Sequence, residues 1–157
     1  VLLRSRHRRR AVGGDRLMGY LSRYSGTIRI DNPLPWKVIK DSPSYPGPRF
    51  ESDVRLLIEQ TEVDTDDGVM ISRRAVGIEP ASEDSFKGYD MVEHVQMIVN
   101  LAREHDKTSG ADITVFLGYI EAVGEDGERW RIAVDNTGMV REFRPTLVWE
   151  PESEGRP

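Results

Sequence analysis

With three histidines and no cysteine, this 157-residue sequence has few side chains able to do chemistry near neutral pH. Only histidine has an unperturbed pKa close to neutrality, so His94 is the best acid-base candidate. Glu93 beside it, or Glu125 further on, would be its carboxylate partner in a small hydrolase or nuclease. His94 also borders an apolar sector with Met97, Ile98 and Leu101, so a packed, hydrogen-bonded structural role competes with catalysis and is preferred. Glu93-His94 looks like the start of a zinc-protease motif, but no second histidine stands at the required spacing. His105 is three helical turns away, about 16 Å, too far to share a metal with His94.

Two acidic clusters are the other candidates. In "DTDDG", Asp64, Asp66 and Asp67 resemble a calcium loop. The glycine comes one position early, however, and Ala75 stands where the bidentate glutamate belongs. A solvated hairpin tip accounts for the same charges. "GEDGE" contributes Glu125, Asp126 and Glu128 and reads as a second tip. If both tips lay at one end of a sheet, they would form a weak site for a divalent ion or a cationic partner. Aromatic anchors are the remaining possibility. Trp36 lies in a Pro-flanked connection, Tyr24 in the segment leading to it, and Trp149 would serve if exposed. Trp130 alternates with Ile132 and Val134 and belongs in the core. Phosphate loops, dinucleotide fingerprints and nucleophile elbows are absent, and no cofactor is expected.

These residues need elements to hold them. "SGTIRID" alternates with period two and predicts a strand over residues 25–31 that ends at the following proline. Pro35 suits the first position of a short helical turn containing Trp36 and Ile39, which Pro43 stops. The runs "DVRLLIEQTEV" and "VMISRRAVGIEP" flank the acidic turn as a hairpin, with Val54, Leu56 and Ile58 on one face. One long helix is predicted from Met91 to about Glu104. Its start would be a capping box of Asp90 and Glu93, and its apolar face Met91, Val92, Val95, Ile98, Val99 and Ala102. After Gly110, "DITVFLGYIEAV", "ERWRIAVD" and "MVREFRPTLVW" predict a three-strand meander, with Trp130, Ile132 and Val134 inward and Arg129 and Arg131 toward water. The expected product is an α+β two-layer sandwich: a mainly antiparallel sheet of about five to six strands with one long helix on one face.

Charge is unevenly spread. Residues 1–17 hold six of the 22 basic groups and one of the 27 acidic ones, leaving 16 basic and 26 acidic groups in the remainder, a net of −10. The leader reads as a nucleic-acid arm if native, because guanidinium groups neutralise phosphates. The preferred reading is that translation starts at Met18: periodicity begins just after it, Val1 fits an upstream GTG codon, and Gly13-Gly14-Asp15 fits a translated ribosome-binding site. The expected organisation is a basic leader over 1–17, one domain over 18–149 and a disordered acidic tail over 150–157. No stretch approaches the roughly 20 apolar residues of a membrane helix, and the lack of cysteine fits a cytoplasmic location.

The segments "MGYLSRYSGTIRIDNPLPWKVIKDSP" (Met18 to Pro43), "KGYDMVEHVQ" (Lys87 to Gln96) and "GEDGERWRIAV" (Gly124 to Val134), with the closing Val148-Trp149, carry a resemblance to a known group. The chain resembles a family of uncharacterised small proteins from actinobacteria and their phages, a domain of unknown function. The resemblance implies a phage or mobile-element origin and brings no activity, cofactor or catalytic residue. The reading favoured by the residues is a non-catalytic interaction module that binds a protein partner through its sheet or its Pro-Trp loop.

Overall fold

The computed structural model describes residues 19–44, 52–110 and 112–152. The expected leader and residues 153–157 of the expected tail lie outside these, while 150–152 are exposed and without regular structure. The architecture is the α+β one expected, a six-stranded antiparallel sheet with a 19-residue helix packed against it.

The elements are β1 (Ser22–Pro35), α1 (Trp36–Ile39), β2 (Val54–Thr65), β3 (Gly68–Pro80), α2 (Met91–Ser109), β4 (Val115–Gly124), β5 (Arg129–Val134) and β6 (Val140–Phe143). The sheet order is β2-β3-β1-β4-β5-β6, so the hairpin and the meander are joined by β1 in the middle. Each strand alternates. Tyr24, Ile28 and Ile30 of β1, Ile120 and Ala122 of β4, and Trp130 and Ile132 of β5 point to one face and are buried. On that face α2 lays down Met91, Val95, Ile98, Val99 and Ala102, all buried; Val92 is partly buried at the margin.

Four local features differ from the sequence expectation. First, β1 does not stop at Asp31. Asn32 takes the left-handed conformation (φ 59°), the pairing with β3 shifts register between Arg29 and Leu34, and the strand runs on to Pro35. Asparagine tolerates this conformation better than most residues, and its Nδ2 donates to the Ile113 carbonyl at 2.8 Å. Second, α2 continues five residues past Glu104, until Gly110 takes a positive φ (63°). Its polar last turn holds because Thr108 donates back to the Glu104 and His105 carbonyls.

Third, the capping box does not form. Asp90 makes no side-chain cap bond, and Glu93 is exposed. Instead the Asp53 carboxylate, arriving from the foot of β2, accepts the Asp90 N–H at 2.9 Å and places negative charge at the positive end of the helix dipole. Fourth, the last strand is four residues long, not eleven. Pro145 has no N–H to give the ladder, and the chain beyond it leaves the sheet.

Candidate functional site

His94 sits one turn into α2, half-buried over the start of β2. Its Nδ1 accepts the backbone N–H of Asp53 at 3.0 Å, which fixes that nitrogen as an unprotonated acceptor in this arrangement. The Asp53 carboxylate lies 4.0 Å from the same nitrogen and accepts the Asp90 N–H, while the Asp53 carbonyl accepts the Ala81 N–H. One residue thus ties the foot of β2, the end of β3 and the start of α2 together, and His94 completes the junction. Neither Glu93 nor Glu125 bonds to His94 among the described residues, and the ring nitrogen a general base would use already holds a backbone proton.

Burial pushes the Asp53 carboxyl above its ordinary value, more than the Asp90 N–H and His94 pull it down. A carboxyl raised on folding stabilises the fold where it is protonated, and that contribution is lost as pH rises through the folded value. Asp53→Asn keeps an oxygen to accept the Asp90 N–H without the buried charge. It should match or exceed the wild-type Tm at pH 7, by no more than about 4 °C. The difference should vanish toward pH 3. A variant markedly less stable at pH 7 would show that the ionised carboxylate itself holds the junction.

The two acidic tips do not converge. At one end of the sheet Ser22 pairs with Gly124, beside the β4-β5 turn that carries Glu125, Asp126 and Glu128. At the other end Pro35 pairs with Arg74, and the β2-β3 ribbon runs on from there to its turn at Asp66 and Asp67. Asp64, Asp66 and Asp67 are all exposed at this tip. Among the described residues no group of three or more His, Asp or Glu side chains is arranged to hold a metal ion. Two carboxylates of the second tip are engaged nearby. Asp126 accepts the Tyr20 hydroxyl and the Glu128 N–H, and Glu128 pairs with Arg144 at 2.5 Å; Glu125 is tied by its backbone N–H, which donates to the Leu21 carbonyl.

The aromatic candidates divide. Tyr24 is 5% exposed and packs on Phe86 (4.9 Å between centroids) and edge-on to Trp130 (6.3 Å). Burial pushes its hydroxyl above the ordinary tyrosine range, and the hydroxyl donates to the Gly88 carbonyl at 3.4 Å. Trp36 is half-buried against the core, with the Arg73 guanidinium 5.5 Å from its ring. Trp149, in contrast, is 86% exposed and lies in the segment that follows β6.

Sequence reasoning named the sheet as a contact surface but not which of its faces or residues. Among the described residues α2 covers one face of the sheet and no element lies over the other. On that open face Leu57, Leu117, Tyr119 and Phe143 are 40–46% exposed. The cross-strand pairs Leu57 with Gly77, Gly77 with Arg29, and Arg29 with Leu117 set one row across four strands. Arg131 lies with its guanidinium 4.1 Å from the Tyr119 ring, and Arg129 and Arg131 share the single carboxylate of Glu121 at 3.3 Å each. The face continues onto the projecting ribbon, where Val63 opposes Met70. A signal for it was present in β4. Val115, Leu117 and Tyr119 are apolar in one phase while Phe116, Ile120 and Ala122 are apolar in the other, the pattern of a strand covered on both sides.

This face carries exposed apolar side chains interspersed with ion pairs, Arg29 with Asp31 and Arg129 and Arg131 with Glu121. No helix among the described residues is long and apolar enough to cross a membrane. A model of a family of unknown function, DUF6205, matches residues 18–156. No curated protein and no solved structure matches the chain.

Proposed function

We propose that this chain, which belongs to the DUF6205 family of unknown function, is a non-catalytic protein-interaction module whose contact surface is the open face of its sheet. The observation that carries the reading is that Leu57, Leu117, Tyr119 and Phe143 stand exposed on the face that α2 leaves uncovered. Solitary exposed apolar residues need no explanation, but several on one sheet face, interspersed with arginines and ion pairs, have the mixed make-up of a protein contact surface. The local engagement of His94, Asp126 and Glu128 favours the module over a hydrolase or nuclease. Its protein partner, an origin in an actinobacterium or its phage, and a cytoplasmic setting belong to the same reading.

The double variant Leu57→Glu, Leu117→Glu tests it. Both side chains point away from the core, so stability should stay within about 0.5 kcal/mol per site of wild type. In extracts of the source cells the wild-type chain should elute in an assembly larger than the purified chain forms alone at the same concentration, and the variant should elute where the purified chain does. Identical elution of the two, with both folded, would contradict the open face as the contact surface.

A further inference from the structure

Beyond Phe143 the sequence "RPTLVWEPE" places Leu147, Val148 and Trp149 in a row, 78%, 72% and 86% exposed. The arm leaves the sheet from a groove of about 310 Å³ at the edge of the open face. Arg129, Trp130, Arg131, Phe143, Arg144 and Pro145 line it, together with Glu121. The groove opens where β6 ends at Phe143, so the start of β5 loses its neighbouring strand. Arm and groove are complementary. The groove offers the exposed Phe143 ring and two arginines that share one carboxylate; the arm offers three apolar side chains followed by Glu150 and Glu152.

The arm cannot readily serve its own groove. Pro145 lines that groove and fixes its own φ, and it biases Arg144 before it to extended backbone. The next four residues, Thr146 to Trp149, include no glycine, asparagine or aspartate to reverse the chain, and β-branched and aromatic types favour extension. Extended, they reach about 13 Å from the groove. Because each arm is rooted in its own groove, a two-fold axis that sets two grooves side by side lets each arm lie across the other, an isologous contact.

We propose that this chain pairs with a second copy by exchanging the arm: Leu147, Val148 and Trp149 of one copy seat in the groove of the other, and Glu150 and Glu152 pair with Arg129 and Arg131 there. The proposal rests on the reading of the open face as a contact surface, to which it adds a specific occupant at one edge.

Sedimentation equilibrium of the purified full chain tests it. The mass should rise from 17.9 kDa toward twice that value with concentration. Trp149→Ala should weaken association about tenfold or more, as loss of an aromatic anchor does. The variant Arg129→Glu, Arg131→Glu and the variant Glu150→Arg, Glu152→Arg should each be monomeric alone and should associate when mixed, because both exchanged contacts regain opposite charges. All the substituted side chains are exposed, and unchanged melting curves verify the fold. A monomer at every concentration overturns the proposal, as does a dimer indifferent to Trp149→Ala or a mixture that stays monomeric. Any of these results beside a larger wild-type assembly in cell extracts that Leu57→Glu, Leu117→Glu abolishes would remove the arm exchange and leave the module reading standing.

Discussion

Trp130→Ala should cost the fold about 3–5 kcal/mol, roughly a fifth or more of the stability typical of a domain. Trp130 projects from β5 to the helix side of the sheet and is 8% exposed. It closes one end of the core in an aromatic cluster, edge-on to Tyr24 at 6.3 Å and tilted against Tyr20 at 6.5 Å, with the Arg144 guanidinium 5.0 Å from its ring. Truncation removes the transfer free energy of a large ring and leaves a cavity that the β-ladder pairing of β4 and β5 prevents from collapsing. Urea unfolding measures the loss. Trp149→Ala is the internal control at protein concentrations where the chain is monomeric, since the monomer's fold does not use that side chain and its unfolding free energy there should stay within about 0.5 kcal/mol. A loss below about 1 kcal/mol at Trp130 would mean that the cluster does not close the core.

Gly26→Ala should be comparably severe, about 2–5 kcal/mol, although it adds only a methyl group. Gly26 lies mid-strand in β1 with φ 93°, a conformation that L side chains rarely adopt, and a Cβ there would stand 2.6 Å from the Tyr119 carbonyl oxygen. The contact is with the backbone of β4, so no rotamer relieves it. Backbone strain of about 1–3 kcal/mol therefore adds to overpacking of similar size. β1 is paired with β4 residue by residue through Gly26 and with β3 from Ile28 onward, which limits any shift to make room. Gly68→Ala separates the two terms: its φ is 128°, but nothing lies within 4 Å of the added carbon, so only the strain remains. Equal losses at Gly26 and Gly68 would show that the approach of β1 to β4 is not tight.

Much of this fold is legible in the sequence where the signal is local. The alternation of Trp130, Ile132 and Val134, the apolar stripe of α2 and the Asp-Gly and Asn-Thr-Gly turns predict their elements, because each reflects a period or a turn conformation set within a few residues. What was not legible comes from partners distant in sequence. The cap of α2 is Asp53, 37 residues before the Asp90 it serves, so the local Asp90-Glu93 spacing pointed to the wrong acceptor. The opposed placement of the acidic tips follows from β1 lying between the hairpin and the meander, which no turn signal encodes. The place of His94 at the edge of the apolar stripe was legible, though the Asp53 N–H that bonds to it was not. Which face of the sheet stays open was not legible. Its residues look like core in sequence, and only the packing reveals that among the described residues one side of β4 has nothing over it.

The central claim is that the open face of the sheet is where this module meets a protein. A photo-reactive residue in place of Leu117, mid-face on β4, tests it most directly against the same residue in place of Glu93, which is exposed on α2 over the covered face. Irradiation in the source cells should give a heavier protein adduct from position 117 and none from position 93. No adduct from 117, or equal adducts from both, would contradict the account.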